Sequence, residues 1–428
     1  MRNIRNILIK NEIFFYVYRF FRSMYFRYMN MVISHKYCSV KSNKHKIIIG
    51  GWFGKRFADN SKALYLYLSQ NKGKYNLEKV IYATRSIEIY EELCKQGFDT
   101  VLIGTKKSIF EHLTSGIHII DNHYTDLDAY YSIFAKRVDL WHGFAVKKIG
   151  LFDSNYSFSI KLNEAILMVK NSIKPGNWQE RYLLSTSVWQ KSIHMLSFGC
   201  PENKTIIGTY PRDYYMLNDK LRFYLPNELY IKNKIRNIKN KNAKIVFYLP
   251  IYRKDRKNND RLVETINNLS KELIKDNVYF VTKMHFASSF SAKITNCENV
   301  IELPAESDIY NFLEDADVLI TDYSSIFFDY LLMYKPFILY CFDRYDYENE
   351  FGFSIDYDSM TLDLKASEFD DLILLLSDIL KNQQNYIENY KNKIKSMIDQ
   401  VYDKNLPSEL NMELLAKKIL HYKEGNLE

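Results

Sequence analysis

Short apolar runs alternate with amphipathic stretches over most of this chain. Lys46–Gly50 (KIIIG) is a continuous apolar run that leads into a Gly-Gly-Trp-Phe-Gly loop. Such a run reads as a strand buried on both faces. Asp59–Gln70 (DNSKALYLYLSQ) predicts the next helix, with Asp59, Asn60 or Ser61 as its cap. Strands follow at Lys79–Ala83, Thr100–Ile103, Ile117–Asp121 and Val138–Trp141, with helices near Ile87–Gln96 and Lys107–Leu113. The pattern then breaks. Lys232, Lys234, Arg236, Lys239, Lys241 and Lys244 are interleaved with Asn and Ile, which predicts a solvated helix or linker. A second series has strands at Lys244–Leu249, Val278–Met284, Val300–Glu302, Val318–Thr321 and Pro336–Tyr340. Its helices are expected at Leu262–Lys275, Asp308–Asp315 and Ser325–Met333, and three amphipathic helices follow from about Ala366. Strands alternating with helices argue for parallel α/β sheets. Two such halves facing each other would place a ligand cleft at the carboxyl ends of their strands.

The segment before the first strand is different. Glu12–Met29 reads EIFFYVYRFFRSMYFRYM. At 100° per residue, Arg19, Arg22 and Arg27 fall within an arc of about 140°, and Phe14, Phe21, Tyr25 and their neighbours fill much of the rest. A basic stripe on an aromatic helix suits an anionic membrane surface. A helix packed on the body with a solvated Arg edge has the same pattern.

Composition narrows the classes. The 428 residues are 47% hydrophobic and 26% charged, which excludes a disordered tail or a collagen. No apolar run is long and uncharged enough for an ordinary transmembrane helix, and no signal peptide is expected. The net charge of +8 favours anionic partners without choosing among them. No nucleic-acid-binding module accompanies the basic residues, so no nucleic-acid partner is expected. The five cysteines are scattered and form no CxxC pair, which suits small core residues in a reducing compartment.

Five clusters sit where strands should end: Asp139–Gly150 (DLWHGFAVKKIG), Gly208–Asp213 (GTYPRD), Phe247–Asp255 (FYLPIYRKD), Thr282–Phe286 (TKMHF) and Thr321–Tyr330 (TDYSSIFFDY). His142 precedes Gly143, which allows close backbone approach, and an imidazole can accept a proton near pH 7. His285, Lys283, Arg253 and Arg212 would converge on the same cleft. Cations and imidazoles gathered there suit a diphosphate and the charge that develops as it breaks. Ser324 and Ser325 precede a helix and would offer hydroxyls to an anion, or simply cap it. Asp329, one turn on, could hold a hydroxyl. The chain contains no Walker motif, GxGxxG, HExxH or GxSxG. Transfer without a metal cofactor is therefore expected, with side-chain cations in place of Mg²⁺.

At these clusters the sequence resembles the CDP-glycerol glycerophosphotransferase family, the teichoic-acid primases and polymerases and related capsule polymerases. WHGFAVKKIG is similar to the family's WHGTPLKKIG, ADNSKALYLYL to SDNPKYLYEYL, GTYPRD to GYPRND, YLPIYRKD to YAPTWRD and KMHF to RMHY. ITDYSSIFFDYLLMYKPFILYCFD is close to ITDYSSVFFDFALLKKPMIFYTYD. The match runs in order from about Lys46 to Gly352. Phe144-Ala145-Val146 replaces Thr-Pro-Leu, Ile251-Tyr252 replaces Thr-Trp, and Lys283 replaces Arg.

The resemblance implies a GT-B fold: two Rossmann-like domains facing across a cleft, with helical extensions at both ends. The expected division is residues 1–45, a membrane-associating segment; 46–230, an acceptor domain; 231–405, a nucleotide-donor domain; and 406–428, a final helix. It implies transfer of an alditol phosphate, most simply glycerol phosphate from CDP-glycerol, to a hydroxyl of a polyprenyl-linked glycan, with release of CMP. His142 would be the general base. His285, Arg212, Arg253 and Lys283 would hold the diphosphate, Ser324 and Ser325 phosphate oxygens, and Asp329 a donor hydroxyl. Gly143, Phe144, Ala145, Val146, Tyr252 and Met284 would line the donor site. The implied address is peripheral, on the cytoplasmic face of the cell membrane. Two alternatives stay open: a GT-B glycosyl- or sugar-phosphate transferase with another nucleotide donor, and a catalytically silent membrane scaffold.

Overall fold

The computed structural model describes residues 12–132, 135–153, 181–251, 253, 256–283, 297–361 and 364–421. Thirteen strands form two wholly parallel sheets among these residues. The first contains β1 (Asn43–Gly50), β2 (Lys79–Thr84), β3 (Thr100–Leu102), β4 (Ser115–Ile120), β5 (Lys136–Asp139), β6 (Arg181–Ser185) and β7 (Thr205–Ile207). Its order is β3-β2-β1-β4-β5-β6-β7. The second contains β8 (Lys244–Tyr248), β9 (Val278–Thr282), β10 (Val300–Glu302), β11 (Val318–Thr321), β12 (Phe337–Tyr340) and β13 (Lys365–Ala366), in the order β10-β9-β8-β11-β12-β13. Each order reverses once, between β1 and β4 and between β8 and β11. Those reversals are the switch points where doubly wound sheets open a crevice for ligand. Ile47, Ile48 and Ile49 are all fully buried, as a strand covered on both faces requires.

The linker expectation fails at one residue. The basic stretch lies largely on a helix, Pro226–Lys239, but Lys232 is wholly buried. Its ammonium group pairs with Glu314 and Asp315, each at 2.6 Å, so it ties this helix to the second domain. Three further strands, β6, β7 and β13, of five, three and two residues, were not expected from the sequence.

The last three helices are Phe369–Lys381, Gln383–Tyr402 and Glu409–His421. The final two return to the first domain. Thr186 Oγ1 donates to Val401 O at 2.6 Å, Lys418 Nζ donates to Ile207 O at 2.8 Å, and Lys74 pairs with Glu413 at 2.7 Å. One continuous apolar core runs through both domains.

The first helix, Glu12–Lys36, packs on the body through Phe26 and Ile33. Phe26 lies 5.5 Å from Tyr124 and 5.4 Å from Tyr130 between ring centroids. Tyr18, Phe21, Met24, Tyr25, Tyr28, Met31 and Val32 remain exposed. They fill an arc of about 140° at helical spacing, so the helix is both packed and openly apolar on its outer face. The side chains of Arg19, Arg22 and Arg27 lie outside the described residues. Among the described residues, no helix is long and apolar enough to cross a membrane.

Candidate functional site

The helix Asp59–Gln70 begins at the end of the crevice beside β1. Its N-cap is Ala58, which has no capping side chain, rather than Asp59, Asn60 or Ser61. Those three buried side chains reach elsewhere. Asp59 accepts from Trp52 Nε1 at 3.2 Å and from Arg212 Nη1 at 2.9 Å. Asn60 donates to the Trp141 carbonyl at 2.9 Å and accepts from the Arg212 N–H at 3.1 Å. Ser61 donates to Asp121 through Oγ at 2.7 Å and through its backbone N–H at 2.7 Å. Caps bond within one turn, whereas these contacts join four separate segments, which is why local sequence could not disclose them.

His142 follows β5 and comes directly after Trp141, whose φ is +63°. Its ring lies 4.5 Å from the Trp141 ring and 6.3 Å edge-on from the Trp52 ring, measured between centroids. Its Nδ1 is shielded and has no hydrogen-bond partner among the described residues. Burial, then the nearby Arg212 and Lys147 charges, pushes the imidazole pKa down, so the ring is neutral at pH 7. Gly143 adopts φ +149° and touches the opposite domain. A Cβ there would lie 2.4 Å from Ser325 Oγ and 3.5 Å from Arg212 Nη2, so no larger residue fits without movement.

The two domains are joined at this point by buried charge. Arg212, 1% exposed, spans Asp59 of the first domain and Asp329 of the second, at 2.9 and 2.8 Å. Asp329 also accepts from Tyr310 at 2.5 Å and from Tyr402 at 3.2 Å. Burial alone would lower the Arg212 pKa, but Asp329, Tyr310 and Asp59 more than reverse it. Burial raises Asp59, and the Arg212 charge opposes that rise. Arg212 and Asp329 are therefore engaged with each other across the two domains, as a clamp between them. A second buried bridge lies nearby, from Lys62 to Asp308 at 3.0 Å and to Asn311 at 3.1 Å.

Arg253 is similarly committed, with Asp343 at 2.5 Å and Asp322 at 2.8 Å. Phe144, Ala145 and Val146 are buried, and two of them meet the second domain. Phe144 lies 5.0 Å from Phe328, and Val146 O accepts from Ser354 N at 2.8 Å. Lys283 is half-buried and donates to the Ser307 carbonyl. Burial, then the Arg56 charge, pushes its pKa down to about 8, although Asp308 and Glu228 oppose this. Arg56 and Lys283 thus set two cations near each other, one from each domain. Sequence reading passed over Arg56, because one Arg in a loop carries no local signal. Ser325 is the N-cap of the six-residue helix Ile326–Leu331 and makes no side-chain cap bond, while Ser324 Oγ accepts from Ile326 N at 3.4 Å. Tyr252, Met284 and His285 lie outside the described residues.

The sequence profile of the family described as CDP-Glycerol:Poly(glycerophosphate) glycerophosphotransferase matches residues 31–406. A teichoic acid glycerol-phosphate transferase of Staphylococcus aureus (strain NCTC 8325 / PS 47) is 27% identical over 337 residues, covering 75% of this chain and 80% of the relative. A teichoic acid glycerol-phosphate primase of Bacillus subtilis (strain 168) is 27% identical over 312 residues, covering 70% and 76%. Among solved structures, the wall teichoic acid polymerase TagF superposes with a TM-score of 0.67 at 20% identity, covering 89% of this chain and 90% of that one. The GT-B architecture is shared with TagF.

Proposed function

The chain belongs to the CDP-glycerol:poly(glycerophosphate) glycerophosphotransferase family, and from that premise we propose how its own residues carry out the transfer and where its acceptor comes from. The protein transfers glycerol phosphate from CDP-glycerol in teichoic-acid synthesis. In the reaction we propose, an acceptor hydroxyl oxygen attacks the phosphorus that carries glycerol. The bond from that phosphorus to the bridging oxygen breaks, and CMP leaves with the electron pair. His142 takes the hydroxyl proton. Its unpartnered Nδ1, neutral ring and place just after β5, at the carboxyl end of the first sheet, are the observation that carries this role. Gly143 lets Ser325 approach the same point, so a phosphate oxygen held by Ser324 and Ser325 would lie beside the base. Lys283 and Arg56 supply positive charge for the departing CMP. His285, on the segment after β9, is assigned to the same task by its RMHY-like motif. Arg212, Asp59 and Asp329 hold the two half-sites in register.

The acceptor is proposed to be the hydroxyl end of a lipid-linked glycan, reached from the cytoplasmic face of the membrane. The exposed aromatic and apolar face of Glu12–Lys36 supports this, because it leaves a continuous apolar surface uncovered.

The test is His142→Ala in the full chain. CMP release should fall by about 10²–10⁴-fold with CDP-glycerol affinity retained. Normal turnover with lost donor affinity would make His142 a binding residue.

A further inference from the structure

A row of aromatic rings runs from the first helix to His142. Phe26 of that helix lies 5.5 Å from Tyr124, Tyr124 lies 4.1 Å from His123, and His123 lies 5.8 Å from Phe53. Trp52, the chain neighbour of Phe53, meets His142 at 6.3 Å and brings the series to the base. Phe26 and Tyr124 also line a cavity of about 220 Å³ beneath the helix. Phe53 and Tyr124 are 44% and 38% exposed, so the row presents ring surface to solvent.

The row is held rigidly. Asp126, 1% exposed, accepts from the backbone N–H groups of Phe53, Asp121, Asn122 and His123, at 2.7 to 3.2 Å. Arg85 donates to the carbonyls of Phe53, Thr125 and Leu127 at 2.8 to 3.0 Å. Two charged side chains therefore fasten the 51–54 loop to the 121–127 loop. Trp52 and Phe53 have φ values of +47° and +59°. Bulky residues rarely occupy this region, and such strain persists where the surroundings over-determine it and the geometry serves a ligand. Among the described residues, no packing requirement of the core explains Phe53, whose ring points outward.

We infer that Phe53, His123 and Tyr124, with Trp52 at the inner end, form the acceptor subsite, taking the sugar ring or rings that carry the hydroxyl about to be phosphorylated. This rests on the reading of His142 as the base for that hydroxyl. A pyranose offers a C–H-rich face that packs flat on an aromatic ring, while its hydroxyls point sideways to water and to polar edges. The row supplies faces in Phe53 and Tyr124 and polar edges in the His123 ring and the exposed Asn122 amide. Its two ends fit the two ends of a lipid-linked glycan. One end abuts the helix with the uncovered apolar face, and the other abuts the base. A pre-fastened surface binds with little ordering cost.

The test uses full-length Phe53→Ala and Tyr124→Ala, with Phe53→Leu to keep bulk without the ring face. In a transfer assay with CDP-glycerol and a lipid-linked acceptor, each Ala variant should raise the acceptor KM about tenfold. The kcat at saturating acceptor and the affinity for CDP-glycerol should stay within twofold of the parent. Phe53→Leu should lie with Phe53→Ala. In parallel, binding of the same glycan freed of its prenyl chain is followed by tryptophan fluorescence. Glycan binding that is lost in Phe53→Ala supports the subsite even if the parent fails to turn over CDP-glycerol, which would indict the donor reading alone. An unchanged acceptor KM, or no glycan binding by the parent, overturns the subsite whatever the donor proves to be.

Discussion

Replacing Arg212 by Met tests whether that residue is a clamp or a donor ligand. The guanidinium is 1% exposed and lies between Asp59 and Asp329, with Asp213 at 3.9 Å. Met fills much of the same space but leaves these carboxylates without their cation. Removing one partner of a buried ion pair costs about 3–5 kcal/mol, mostly from the charge left behind. The cost should depend on pH. Without Arg212 the folded-state pKa of Asp59, already raised by burial, rises further above its unfolded value. The folded chain then binds more protons than the unfolded one, so the variant loses stability as pH rises. One carboxyl that stays protonated across the span from pH 8 to pH 5.5 recovers at most about 3 kcal/mol, at about 1.36 kcal/mol per unit. Urea unfolding of the full chain, followed by tryptophan fluorescence, should show the full deficit at pH 8 and a clearly smaller one at pH 5.5. A variant as stable as the parent at pH 8 that had lost only CDP-glycerol affinity would refute the clamp.

Because burial depresses the His142 pKa, the kcat/KM of the parent should hold its plateau well below pH 6.5; an acid limb centred at 6.5 would place the ring in open water. Lys283 should lose its proton near pH 8, so donor affinity should weaken as pH rises through that value. Lys283→Arg should remove that limb, and an alkaline limb unchanged in the variant would belong to another group. On the first helix, Tyr25→Asp combined with Met31→Asp should abolish co-sedimentation with anionic liposomes while leaving CDP-glycerol affinity intact, since neither residue approaches the crevice; undiminished co-sedimentation would move the membrane contact elsewhere on the body.

What the sequence determined by itself was the series of elements and the places where strands end. A strand covered on both faces must be apolar without interruption, so KIIIG and the runs like it announce themselves locally. The helix Asp59–Gln70 appeared with its observed bounds, although its cap did not. The WHG, PRD and DYSS clusters were legible because chemistry in such folds gathers at the strand ends, and the motif order brought the fold with it. Tertiary structure alone decided which polar groups remain available. Arg212 meets Asp59 across 153 residues and Asp329 across 117, and no local pattern records such a partner. Lys232 read as solvated because its neighbours are basic and polar, yet it is buried against Glu314 and Asp315, 82 and 83 residues away. The aromatic row is of the same kind. Phe26, Phe53 and Tyr124 stand far apart in sequence, and the Asp126 and Arg85 bonds that fasten two loops bring Phe53 beside His123 and Tyr124. Periodicity reports burial along one element, whereas a buried charge or a shared surface needs a partner from another, and that pairing exists only once the chain has folded.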